Sequence, residues 1–182
     1  MALLTTPGLP RIAAAALVAV WAAGAGAQTV SAPELKAAFV FNFAKFAEWP
    51  THPPDAPITL CVSGDDRLAT ALAATARAQG VDARSVVIAR LTGDTSARSC
   101  QVLYLASGSR RAGALLDESG ALPVLTVGDG DRFAESGGMI GLFIDEGRMR
   151  FAVNVDAVQR ARIHLSSRLL GLARIVRESH AP

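Results

Sequence analysis

Four short apolar runs, at residues 58–62, 85–91, 102–106 and 123–127, constrain this chain more than any other feature. Segments of helical composition separate them: an Ala/Leu-rich stretch over 67–79, and a second stretch from Ser109 to about Glu118 that ends at Gly120. Ser109 stands where a helix N-cap is expected. Short strands that alternate with helices imply βαβ units and a mostly parallel sheet covered on both faces. A different pattern follows Gly137-Gly138. Residues 139–144 are mainly apolar, Asp145-Glu146-Gly147 is turn chemistry, and 148–153 alternate polar with apolar, which predicts an antiparallel β-hairpin. Asn154 is placed to cap a helix, with Asp156 in its first turn. Leu165, Leu169, Leu172 and Val176 then recur at helical spacing, so a long helix is expected to the end of that run. The predicted architecture is a Rossmann-like three-layer α/β sandwich of about six strands, mostly parallel with an antiparallel edge hairpin. Counted along the chain, the expected strand order is 2-1-3-4-5-6.

Residues 1–27 read as a secretory signal peptide. The amino terminus and Arg11 carry positive charge, residues 12–23 are apolar, and Ala25-Gly26-Ala27 fits a small-x-small cleavage site. The apolar run of about 12 residues falls short of the roughly 20 that span a bilayer, which favours cleavage over an uncleaved anchor. Gln28, not the Cys that lipidation needs, follows the cut. The expected working chain is one domain, residues 28–182, long enough to bury a core. Without Arg11 the formal net charge of +2 falls to +1, which argues against a nucleic-acid partner. In an exported chain the two cysteines, Cys61 and Cys100, are expected to form a disulfide, worth about 4 kcal/mol in the chain-entropy model. A redox switch would instead need a strained or exposed bond.

The first helix is expected from Ser31 or Ala32 to Trp49, with Pro33 in its first turn and Pro50 as its stop. Leu35, Phe39, Asn42, Phe46 and Trp49 share one stripe, Val40, Phe43 and Ala47 the adjacent one, and Phe41 a third side. A helix apolar nearly all round is a core helix or a docking helix. Asn42, set among four Phe, reads as a buried amide that needs partners.

Little in the chain points to catalysis. His52, His164 and His180 have no metal-ligand spacing to each other or to the cysteines. Ser107-Gly108-Ser109 follows a strand but lacks the nucleophile-elbow pattern. The Gly128-Asp129-Gly130 turn lacks the third glycine of a dinucleotide fingerprint. The loops at the carboxyl ends of the strands, where an α/β sheet forms its crevice, carry Asp65, Asp66, Asp129 and Asp131. These acids would repel phosphate and read as caps and solvated turns. No cofactor, metal or catalytic residue is expected. The C-terminal part is basic: from Arg148 onward there are seven arginines against Asp156 and Glu178. Arg160, His164, Ser167 and Arg174 fall on one face of the expected helix, and Arg148 and Arg150 on one face of the strand before it. Such a face is either solvated or a dock for carboxylates, which guanidinium forks match in geometry.

Four blocks in order resemble the YfiR family. They are Val30 to Pro50 around Phe39, Asn42, Phe43 and Trp49; Leu60-Cys61-Val62-Ser63-Gly64-Asp65-Asp66; Pro123-Val124-Leu125-Thr126-Val127; and the C-terminal set. That last set is Gly137-Gly138-Met139-Ile140, Arg148 to Asn154, and Leu165 to Ala173. The resemblance implies an α/β sheet, a homodimer and a periplasmic repressor. Such a repressor binds the periplasmic sensor domain of an inner-membrane diguanylate cyclase, controls cyclic-di-GMP signalling and biofilm formation, and is itself sequestered by an outer-membrane lipoprotein. The Cys61–Cys100 pair matches a family disulfide. A second one, expected near the hairpin, has no cysteines here.

The combined reading is a non-enzymatic periplasmic regulator. Phe39, Asn42, Phe43 and Trp49 are the candidates for an apolar partner contact or structural support, and Arg148, Arg150, Asn154, Arg168 and Arg174 for a polar one. The alternative is a periplasmic small-molecule-sensing protein with its ligand in the strand-end crevice. An exported hydrolase is disfavoured because no nucleophile and base are paired.

Overall fold

The computed structural model describes residues 32–53, 55–79, 85–93 and 95–177. The signal peptide read from residues 1–27 lies outside them. Helix α1 (Ala32–Lys45) leads into a two-residue strand β1 (Ala47–Glu48). The alternating unit follows: β2 (Ile58–Ser63), α2 (Asp66–Ala78), β3 (Val86–Arg90), β4 (Val102–Leu105), α3 (Ala112–Ser119), β5 (Leu125–Asp129) and α4 (Arg132–Glu135). The hairpin is β6 (Ile140–Asp145) and β7 (Arg148–Asn154), and the chain continues through α5 (Val155–Arg160), β8 (His164–Leu165), α6 (Ser167–Leu170) and β9 (Arg174–Val176). The main sheet has the order β3-β2-β4-β5-β6-β7-β9. The six expected strands are β2 to β7, and their order is the expected one, with β9 added outside the hairpin.

Burial alternates across this sheet as strand geometry requires. Leu60, Val62, Val102, Tyr104, Leu125, Val127, Ile140, Phe151 and Val153 face one side and pack with α1 and α2. Cys61, Leu103 and Leu105 face the other and pack with Leu115 of α3 and with Phe133 of α4. These two cores make the three layers. The Cys61–Cys100 disulfide, with 5.8 Å between Cα atoms, sits in the second core. Both cysteines are 1% exposed, so the bond has no solvent access of the kind a redox switch uses.

The hairpin turns at Glu146 (φ 47°) and Gly147 (φ 74°), with Asp145 opposite Arg148. Two consecutive left-handed residues make a type I′ turn, whose twist suits a two-residue hairpin. Asn154 caps α5 as expected, accepting from the Ala157 N–H at 3.0 Å.

Two expected helices differ in extent, and for a shared reason. The first helix ends at Lys45 rather than Trp49, because Ala47 and Glu48 pair with Leu165 and His164. The long C-terminal helix does not form either. Arg162 adopts φ 56°, Ser166 caps a new short helix by accepting from Leu169 N–H, and Arg174–Val176 pairs in parallel with β7. Arg160, His164, Ser167 and Arg174 therefore do not share a helical face. Ser109 is not the cap of α3, since the residue preceding that helix is Arg111 and makes no side-chain cap bond.

Phe133 of α4 explains the glycines around it. A Cβ on Gly128 or Gly138 would lie well inside contact distance of the Phe133 ring, and one on Gly141 would meet the Gly130 carbonyl oxygen. The ring thus lies flat on the sheet where side chains are missing. Gly138→Ala is expected to destabilise the fold by about 1–3 kcal/mol through overpacking, read as a lower midpoint in urea denaturation. Phe133→Leu in the same background should recover part of the loss.

Candidate partner interface

Helix α1 buries Ala37, Val40, Phe41, Phe43 and Ala44, so its inner side is a core surface. Phe43 (1% exposed) and half-buried Phe39 join Phe151 of β7 in an aromatic cluster, with centroid separations of 5.1 Å for Phe43–Phe151 and 6.2 Å for Phe39–Phe151. Trp49 is buried as well, just beyond β1. These aromatics hold α1 on the sheet. Asn42 is not the buried amide expected from its neighbours: it lies on the exposed stripe with Glu34, Ala38, Lys45 and Phe46. A register that sinks Phe41 and Phe43 together leaves residue 42 facing out.

A polar network closes the carboxyl ends of the central strands. Lys36 reaches from α1 to Asp129 Oδ1 at 2.5 Å and to the Tyr104 hydroxyl at 3.2 Å. Tyr104 donates to the same Asp129 oxygen at 2.6 Å, and the Ser107 N–H donates to the other at 3.3 Å. Burial pushes the Tyr104 hydroxyl far above its usual range, and the hydrogen bond to Asp129 adds to the effect. Tyr104 therefore stays protonated and donates. Burial alone would raise Asp129, but the hydrogen bonds from Lys36 and Tyr104 outweigh it and hold the carboxyl below its usual range. Beside this network Ser63 and Ser109 hydrogen-bond each other at 2.8 Å. The other crevice acids behave as caps and surface pairs: Asp65 caps α2, Asp66 meets Arg90 at 3.3 Å, and Asp131 meets Arg174. Asp129 departs from that group. It is a half-buried anchor for α1, not a solvated turn residue.

The arginine candidates lie at the far edge of the sheet. Arg148 and Arg150 of β7 project from the face that carries Phe143, since Phe143 pairs with Arg150 and Asp145 with Arg148. Arg174 reaches that face from β9, opposite Ala152. Its guanidinium lies 5.0 Å from the Phe143 ring centroid and 3.6 Å from both Asp131 and Glu135. Arg150, Phe143, Phe151, Leu172 and Arg174 line a recess of about 490 Å³. Arg168 is exposed on α6, whereas Asn154 is fully buried, with its amide donating to the Ala134 carbonyl at 2.9 Å. Asn154 shapes the edge from beneath. The structure thus groups Arg148, Arg150 and Arg174, and separates them from the α1 aromatics by the thickness of the sheet.

The Lys36–Tyr104–Asp129 network escaped sequence reasoning, because its members lie on three elements with no common spacing. The available signal was Lys36 itself, a lone cation early in an apolar helix. Among the described residues no group of three or more His, Cys, Asp or Glu is arranged to hold a metal ion. No helix there is long and apolar enough to cross a membrane.

The family model described as YfiR/HmsC-like matches residues 33–174. No curated protein matches the chain. Among solved structures, the chain is similar to a conserved domain protein from Vibrio cholerae O1 biovar El Tor, with a TM-score of 0.50 at 11% identity. The match covers 81% of this chain and 60% of that one, so the likeness is one of fold.

Asp129→Asn removes the charge that Lys36 faces and is expected to cost about 1–3 kcal/mol near neutral pH. Asp129's lowered pKa means its contribution is complete above the ordinary carboxylate range and lost as pH falls through the folded-state value. Denaturant midpoints followed from pH 7 into the acid should therefore converge for the variant and the parent. A gap that persists unchanged in acid would contradict the ion-pair account.

Proposed function

The chain belongs to the YfiR/HmsC-like family, and we propose that it is an exported repressor of a membrane-bound diguanylate cyclase, acting by binding that enzyme's periplasmic sensor domain. The family match over residues 33–174 carries this reading. The family is consistent with regulation of diguanylate cyclase signalling and with a periplasmic, non-catalytic role. On this reading the protein is exported by a signal peptide cut after Ala27, forms a single domain over 28–182, is a homodimer and controls biofilm formation through cyclic-di-GMP. Release by an outer-membrane lipoprotein belongs to this reading as well.

The geometry supports a gripping protein more than a transforming one. The strand-end crevice, where an α/β protein usually holds its ligand, is crossed by the Lys36 side chain, and its serines are bonded to each other. That occupancy also weighs against the alternative of a small-molecule sensor with its ligand there. The polar contacts of the repressor reading are Arg148 and Arg150, exposed on β7, and Arg168, exposed on α6. Asn42 on the outer side of α1, with half-buried Phe39 at its flank, offers a second surface supported by Phe43 and Trp49, whereas Asn154 and Arg174 support the β7–β9 edge.

Repression follows if the protein binds the inactive state of its partner more tightly than the active one. The shift it can impose is bounded by that difference in affinity, about tenfold for each 1.4 kcal/mol. Deleting the gene in its native host is expected to raise cellular cyclic-di-GMP, measured by mass spectrometry of nucleotide extracts, and a plasmid copy should restore the parental level. Unchanged cyclic-di-GMP in the deletion strain would overturn the proposal.

A further inference from the structure

The outer side of β7 is only half covered. The Asn154 N–H donates inward to the Met139 carbonyl at 2.8 Å, so alternation along the strand turns the backbone groups of Val153, Phe151 and Met149 outward. β9 is in register with Ala152, Val153 and Asn154 alone. The stretch Arg148-Met149-Arg150 therefore has a strand on its inner side and none, among the described residues, on its outer side.

The side chains around this gap are of two kinds. Arg148 and Arg150 are exposed on one face, and neither forms an ion pair among the described residues, although Asp145 is the cross-strand neighbour of Arg148. On the opposite face Met149 is half-buried beside Ile144, which is 62% exposed. An unpaired edge of this kind is a template for strand addition.

Resting on the reading of this chain as a protein-binding regulator, the geometry points to β7 as the docking edge for an extended segment of the partner that alternates acidic and apolar residues. Acids at alternate positions would lie opposite Arg148 and Arg150, and the apolar residue between them opposite Met149, where cross-strand pairs of opposite charge are favourable. A second copy of this chain does not fit the same edge. Twofold pairing is antiparallel and preserves the faces of the sheet, so a register centred on Arg148, Met149 or Arg150 sets arginine opposite arginine, which is unfavourable. The charge pattern thus selects a different, acidic chain.

The probe is the capped peptide acetyl-Glu-Val-Glu-Val-Glu-amide, titrated into ¹⁵N-labelled protein expressed from the full sequence. Its binding should move the amide signal of Met149 and slow that amide's exchange, and the same peptide with Lys for Glu should bind about fivefold more weakly or less. The double variant Arg148→Glu/Arg150→Glu should reverse the preference. Shifts confined to other elements, an unchanged preference in the charge-swapped variant, or no shift at millimolar peptide would overturn the assignment. Dimerisation that protects Met149 without peptide would overturn it in favour of a second copy. The host strain separates this from the broader reading. If deletion raises cyclic-di-GMP but the double variant behaves like the parent, the edge assignment falls and the regulator remains. If deletion has no effect, the regulator reading falls and the titration alone judges the edge.

Discussion

One half-buried ion pair sets how the first helix lies on the sheet. Lys36 and Asp129 meet at 2.5 Å with their side chains mostly withdrawn from water, and Tyr104 completes the site by donating to the same oxygen. Taking both charges out of water is costly, and only partners at hydrogen-bond distance offset that cost. The network therefore tolerates little displacement of α1. With the helix held at that point, Phe39 and Phe43 meet Phe151, and the sheet's first face is sealed from β2 to β7. The same arrangement runs the Lys36 side chain across the strand-end crevice to Asp129.

The far edge is built from the other side. Phe133 occupies ground cleared by glycines, and α4 presents Asp131 and Glu135 to Arg174. Asn154 ties that layer to the start of α5 by donating to Ala134 and accepting from Ala157. Arg174 is thereby committed within the fold, while Arg148 and Arg150 form no ion pair among the described residues. Three arginines that look equivalent along the chain are unequal in space.

The strands β2 to β7 were legible because each signal is local, whereas their order, though the expected one, is set by pairing between distant strands. β-branched runs bounded by Gly and Asp, an Asp-Glu-Gly turn and an Asn cap express preferences over a few residues. The cysteine pairing was legible because there are only two. Asn42 was misread because a run of aromatics suggests burial on all sides, whereas a helix in contact with one sheet buries only part of its circumference. The C-terminal segment was misread because Leu165, Leu169, Leu172 and Val176 have helical spacing, and spacing does not report competing backbone partners. Those partners are Ala47-Glu48 and the outer edge of β7, both distant along the chain. Once they supply hydrogen bonds, two short helices and two short strands replace one long helix. The β1–β8 pair also stops α1 early, so one non-local ladder accounts for both boundary errors.

From residue types alone came the alternation of strands and helices, the hairpin with its turn, the disulfide partners and the basic character of the C-terminal part. These depend on covalent geometry, local propensity and count, all of which are present before the chain folds. Only the folded arrangement decided that Lys36 finds Asp129, that Arg174 is held by acids from α4, and that half of β7 is left without a neighbour. Each of these is a meeting of groups far apart in sequence, set by the packing of whole layers, and no short stretch of residues contains it.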